Sequence, residues 1–208
     1  GIEEAPVWKD ELYLELHRGC YTSHADQKQQ NRQSEDLLYQ AEVFATVATI
    51  IGNQPYPKSE IETAWKDLLF NQFHDILPGT SIPEVFVEAN QSWRLIKQIG
   101  EQILKQSLQT IGSNISLPKP PHPEALPIIV FNALSWPCSA TVNAKTIQDK
   151  PNHSTSQWTV YDCQQQQMPC QVTSTELGED QQTHILFTAH TIPAVGYRCF
   201  WLCPTPIA

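Results

Sequence analysis

The chain has 208 residues, 13 of them Lys or Arg and 22 Asp or Glu, for a formal charge of −9. Charged residues at 17% are sparse and apolar residues at 40% are ordinary for a folded protein, which excludes a disordered chain, and no apolar run reaches the ~18 residues of a membrane span. The acidic balance holds on both sides of residue 115, 9 positive against 16 negative before it and 4 against 6 after, so nucleic acid, which attracts clustered Lys and Arg, is excluded as a partner.

Gly1-Ile2-Glu3-Glu4 is acidic and lacks an apolar core, so no signal peptide is read and a cytoplasmic location is expected. Glu11 to Leu16 sets Leu12, Leu14 and Leu16 on one side, a weak strand pattern that ends in the loop His17-Arg18-Gly19-Cys20-Tyr21-Thr22-Ser23. Ser23 is placed to cap a long helix from about His24 to Ile51. Leu37, Ala41, Phe44, Ala48 and Ile51 step by 4, 3, 4, 3 and form its seam. Its first half (Gln27, Gln29, Gln30, Asn31, Arg32) is polar and is expected to face water or another polar surface. Gly52-Asn53-Gln54-Pro55 ends it.

Ser59-Glu60-Ile61-Glu62 reads as a capping box, opening a second helix through Ile61, Trp65, Leu68, Leu69 and Phe73 that stops near His74-Asp75 ahead of Pro78-Gly79. Ser81-Ile82-Pro83-Glu84 is a second box, with its proline where no N–H is needed. The third helix carries Val85, Ala89, Ser92, Ile96, Ile99 and Ile103, and Gly112 suits its end. Trp65 and Trp93 lie in helical sequence and belong to a core. Helices with such seams and short connections pack as an antiparallel bundle.

Of the 16 prolines, 11 follow residue 117, beginning with the stiff run Leu117-Pro118-Lys119-Pro120-Pro121-His122-Pro123. Beyond it Ile128 to Phe131, Gln157 to Asp162, Met168 to Thr173, His184 to Thr188 and Tyr197 to Leu202 read as strands separated by turns. The expected class is α+β, an antiparallel three-helix bundle followed by a partial antiparallel β-sandwich. The six cysteines form no C-x-x-C pair and read as scattered thiols. Cys199 and Cys203 share one strand face about 13 Å apart, too far to bridge.

Two stretches could carry chemistry. In Asn71-Gln72-Phe73-His74-Asp75-Ile76-Leu77-Pro78-Gly79-Thr80 an imidazole adjoins a carboxylate at a helix end. The helix dipole favours a histidine there but opposes an aspartate by roughly 0.3–1 kcal/mol, so Asp75 asks for another reason to be present. Two adjacent residues cannot complete a four-ligand zinc site. The loop His17 to Ser23 is the second candidate, able to present His17, Arg18 and Tyr21 to a ligand, or simply to join a strand to a helix.

Together these motifs, with Asn31-Arg32, Glu35, Val130-Phe131-Asn132-Ala133-Leu134-Ser135-Trp136-Pro137 and Val195-Gly196-Tyr197-Arg198, resemble the α-mannosidases of glycoside hydrolase family 38 in order and separation. The resemblance implies a zinc-dependent retaining hydrolase of terminal α-mannosyl residues. It implies that residues 1–23 are the end of a catalytic barrel, 24–115 a middle three-helix bundle, 116–127 a linker and 128–208 the first part of a β-sandwich. His74 matches a zinc ligand, Asp75 a residue bonded to sugar hydroxyls, and His17 and Tyr21 fall in the loop beside the sugar. The nucleophile, the acid and the remaining zinc ligands would lie in the rest of the barrel, leaving this piece inactive alone. The implied partners are α-mannosides or glycans, and the barrel and C-terminal β domains of the same protein. The competing expectation is a non-catalytic carbohydrate-binding or helical interaction module.

Overall fold

The computed structural model describes residues 6–10, 12, 15–147, 157–175 and 182–205. They divide into two compact units, residues 1–110 and 111–208. The first holds the helices α1 (Ala25–Gly52), α2 (Lys58–Asn71) and α3 (Pro83–Ser113), whose last turn falls in the second unit. No helix of the described residues is long and apolar enough to cross a membrane. Residues 11, 13 and 14 of the expected first strand lie outside the described residues; Leu12 sits in a bend and Glu15 and Leu16 in a turn, with both leucines exposed.

Helix starts differ from expectation. His24, not Ser23, is the N-cap of α1, in the left-handed region at φ 47° and with no capping side-chain bond. Helix α2 begins one residue before Ser59, after Pro57, so the expected box at 59–62 does not form and Ser59 offers its carbonyl to the Thr63 hydroxyl at 2.9 Å. Pro83 does open α3, but the Ser81 hydroxyl turns back to the Asp75 carbonyl at 2.7 Å.

The seams are partly as expected: Ala41, Phe44 and Ala48 on α1 and Ala89, Ile96 and Ile103 on α3 are buried, while other positions move to a neighbour. On α1 the buried positions Gln27, Asn31, Ser34, Leu38, Ala41, Ala45 and Ala48 keep a 4, 3 step. Leu38 replaces Leu37, and Ile51 is 47% exposed. On α3 they are Phe86, Ala89, Trp93, Ile96, Gly100, Ile103 and Ser107. In the polar first half of α1, Gln29 and Arg32 are exposed, while Gln27 and Asn31 are buried against polar side chains of the other helices. Hydrogen bonds make that burial tolerable. The Trp93 indole N–H donates to Gln27 Oε1 at 2.8 Å, and Gln27 Nε2 to Asn90 Oδ1 at 2.8 Å. Asn71 Nδ2 donates to Ser92 Oγ at 3.0 Å.

Gly100 lets α1 approach α3, because a Cβ there would stand 2.8 and 2.9 Å from Leu37 Cγ and Cδ2. Overpacking costs about 1–3 kcal/mol, against about 1 kcal/mol of helix propensity gained. Gly100→Ala is therefore expected to destabilise the bundle by about 1 kcal/mol net, read from urea unfolding followed by helical circular dichroism.

Among the described residues the second unit holds seven antiparallel strands: β1 (Leu126–Asn132), β2 (Cys138–Ile147), β3 (Gln157–Asp162), β4 (Gln167–Met168), β5 (Cys170–Thr175), β6 (Gln182–Ile192) and β7 (Gly196–Thr205). Their orders are β1-β7-β3-β4 and β2-β6-β5. Val160, Phe200 and Leu202 of the first sheet meet Ile185, Phe187, Ala189 and Ile192 of the second. The rings of Phe187 and Phe200 meet edge to face at 5.1 Å. Strand β2 was not expected, since Ser, Asn and Lys hide its alternation, yet Val142 and Ala144 pack on the core.

Asn132 organises one corner. Its Nδ2 lies 2.9, 3.0 and 3.3 Å from the carbonyls of Trp136, Pro193 and Ile192, while its Oδ1 accepts from Leu134 N at 2.9 Å. Val195 N closes the turn on Leu134 O at 2.9 Å. All six cysteines are free thiols. Burial pushes the Cys199 thiol up, with the neighbouring Cys163 thiol adding to it, and burial pushes Cys203 up. Neither is a ready thiolate nucleophile.

Candidate functional site

The expected α2 terminus near His74-Asp75 is three to four residues too late: the helix ends at Asn71, and residues 72–79 form a series of turns. Asp75 therefore lies beyond the last helical turn, where the dipole no longer opposes it. The reason for its presence must come from its surroundings. Its carbonyl is fully engaged, accepting from Thr80 N at 3.2 Å, Ser81 N at 3.0 Å and the Ser81 hydroxyl. These bonds close residues 75–81 into a compact loop.

The loop holds its backbone inward and its two candidate side chains outward. His74 Nε2 lies 3.6 Å from Asp75 Oδ2, with side chains 79% and 54% exposed. Phe73, half exposed, leans on the imidazole at 4.2 Å between ring centres. Just before them, Gln72 Nε2 donates to Asn31 Oδ1 and Glu35 Oε1, both at 2.9 Å, tying the end of α2 to α1. Glu35 in turn meets Arg32 Nη1 at 2.8 Å. Asn31, Arg32 and Glu35, marked in the sequence only as a pattern, thus support the turn that carries His74.

The loop before α1 is built from successive turns, with Cys20 N bonded to His17 O at 3.1 Å and Ser23 N to Gly19 O at 2.8 Å. It exposes His17 and Tyr21. This loop and the His74 turn meet at Gly79, whose φ of 84° needs glycine and whose Cα lies so near the loop that a Cβ would be 2.8 Å from Ser23 O. Lys28 spans the same junction, its Nζ donating to Ser23 O at 2.7 Å and to Leu77 O at 2.9 Å. The His24 ring stacks on Phe86 at 3.8 Å.

The structure thus brings together the two stretches singled out in the sequence, through residues that sequence reasoning passed over. Lys28 carried no expectation, and Gly79 read only as a helix breaker. A cleft of about 300 Å³ between α2 and α3 is lined by Asp67, Phe70, Asn71, Ile76, Glu88 and Ser92 among others, none of them an expected site residue. Among the described residues no three His, Cys, Asp or Glu side chains are grouped to hold a metal ion.

Comparison with known proteins gives this junction a setting. Residues 15–111 match the family described as the alpha mannosidase middle domain. Alpha-mannosidase 2C1 of Homo sapiens is 35% identical over 135 residues, 64% of this chain and 12% of that protein. Alpha-mannosidase of Saccharomyces cerevisiae is 40% identical over 85 residues, 40% of this chain and 8% of that protein. A solved α-mannosidase from Enterococcus faecalis V583 shares the fold, with a TM-score of 0.68 at 19% identity over 91% of this chain and 25% of that one. A glycosyl hydrolase family 38 protein from Enterococcus faecalis does so at 0.67 and 19%, over 99% and 27%.

Proposed function

Because the chain belongs to the α-mannosidases of glycoside hydrolase family 38, we propose that it is the middle part of a zinc-dependent retaining enzyme that removes terminal α-mannosyl residues. His74 offers one imidazole donor to zinc. Asp75 accepts hydrogen bonds from hydroxyls of the sugar, and His17 and Tyr21 approach the sugar from the facing loop. The observation that carries this reading is the 72–81 turn, which commits its backbone to internal hydrogen bonds and presents the imidazole and carboxylate outward.

The donor set fits a contribution to a metal site and not a whole one. An exposed imidazole is a suitable zinc ligand, but a tetrahedral site takes four groups, and this chain groups fewer than three among its described residues. The other ligands belong to the catalytic barrel, of which residues 1–23 are the closing part; residues 24–115 are the bundle, 116–127 the linker and 128–208 the start of the β region. When bound, zinc polarises and fixes adjacent sugar hydroxyls. Retention of configuration needs two carboxyl groups about 5–5.5 Å apart across the glycosidic bond, and both are assigned to the barrel rather than to Asp75. The chain alone is accordingly inactive, and its partners are α-mannosides or glycans and the flanking domains.

In the full-length enzyme His74→Ala is expected to lose bound zinc, measured by atomic emission, and about 100-fold or more in kcat/KM on an aryl α-mannoside. Full zinc content and rate in that variant would sink the reading. Saturable mannoside binding by the 208-residue chain without hydrolysis by the full-length enzyme would favour a binding module instead.

A further inference from the structure

We propose that Lys28 is a positioning residue that locks the His17–Ser23 loop to the His74–Asp75 turn, so that the two sugar- and metal-facing stretches move as one body; this rests on the function proposed above. A cation in the first turn of a helix works against the helix dipole. Lys28 is the fourth residue of α1, and its ammonium is not on a carboxylate at the surface. It is part-buried and donates to two backbone carbonyls, Ser23 O at 2.7 Å and Leu77 O at 2.9 Å.

Those carbonyls belong to segments 54 residues apart in the chain. Ser23 closes the loop that exposes His17 and Tyr21, and Leu77 lies three residues after His74. Without the ammonium both carbonyls would lose a charge-assisted partner at a site only partly open to water. Gly79 sets how near the two segments can come. It supplies no bond between them; Lys28 does. Gln72, bonded to Asn31 and Glu35, restrains the other end of the same turn, so losing Lys28 frees the half that follows Asp75.

A residue that orients a metal ligand from outside the coordination sphere changes metal affinity by 10–100-fold when removed. In the full-length enzyme Lys28→Met is expected to weaken zinc binding by about that factor. It is also expected to lower kcat and raise KM for an aryl α-mannoside together. In the metal-free enzyme, amide exchange of residues 17–23 and 76–81 should accelerate in parallel. Lys28→Arg, which keeps a charged donor, should recover part of the loss, and Gly100→Ala, which loosens the same bundle elsewhere, should leave zinc affinity unchanged. Zinc affinity equal to wild type in a folded Lys28→Met enzyme overturns the assignment, provided that His74→Ala does lose zinc; if His74→Ala keeps it, the metal reading fails first and the parallel exchange of the two segments decides the role of Lys28 alone. If neither Lys28→Met nor Lys28→Gln folds, Lys28 is a folding residue and the positioning role is overturned as well.

Discussion

Gly79→Ala is expected to cost the helical unit about 2–5 kcal/mol, the sum of a backbone penalty and an overpacking penalty. An L-residue held at the φ of 84° seen here pays about 1–2 kcal/mol in the left-handed region. The new methyl would also stand 2.8 and 2.9 Å from the carbonyl oxygen and carbon of Ser23 and 3.0 Å from His24 Cβ. Two of those atoms are backbone, which cannot swing aside as a side-chain tip can, so the loop and the turn must part. Urea unfolding followed by helical circular dichroism would show the loss. A variant as stable as wild type would mean that the two segments are not in the contact described.

Asn132→Leu is expected to cost the β unit about 3 kcal/mol with little change in volume. The amide of Asn132 serves the carbonyls of Trp136, Ile192 and Pro193 and the Leu134 N–H, all at the corner where β1 leaves the sheet and β6 turns into β7. Leucine fills the space and leaves those backbone groups without that partner in a buried setting, at about 1–3 kcal/mol for each group that water cannot reach. Amide exchange of β1 and β7 should rise about 100-fold, the factor that corresponds to such a loss if the strands open together. Unchanged protection of Leu134 and Val195 would contradict the corner's role.

Element existence was legible in the sequence because helical periodicity over many turns and alternating strands survive local noise. Among the described residues three helices and five of seven strands follow from that. What failed was the polar end of the seam. Ala41, Phe44 and Ala48 are buried as expected, but before them the seam runs through Leu38, Ser34, Asn31 and Gln27, which hydrophobicity alone does not pick out. A polar residue reads as solvent-facing until its partner is known, and Trp93 and Gln72 lie 66 and 41 residues from theirs. Capping boxes failed because α2 starts directly after Pro57 and the Ser81 hydroxyl bonds the Asp75 carbonyl. His74-Asp75 and the loop before α1 were visible as residue types. Their junction was not, because Lys28 and Gly79 act through backbone carbonyls that no side-chain pattern announces. The Asn132 stretch is the reverse case, a motif recognisable as text whose physical meaning is a single side chain closing a corner.

The amide-lined half of the bundle has a consequence for assembly of the helices. A seam made only of Leu and Ala tolerates slippage by seven residues, because every notch resembles the next. Here the indole of Trp93 must find Gln27, and Asn71 must find Ser92, or each is stranded away from water. One half supplies adhesion and the other acts as a key, admitting a single alignment of the three rods.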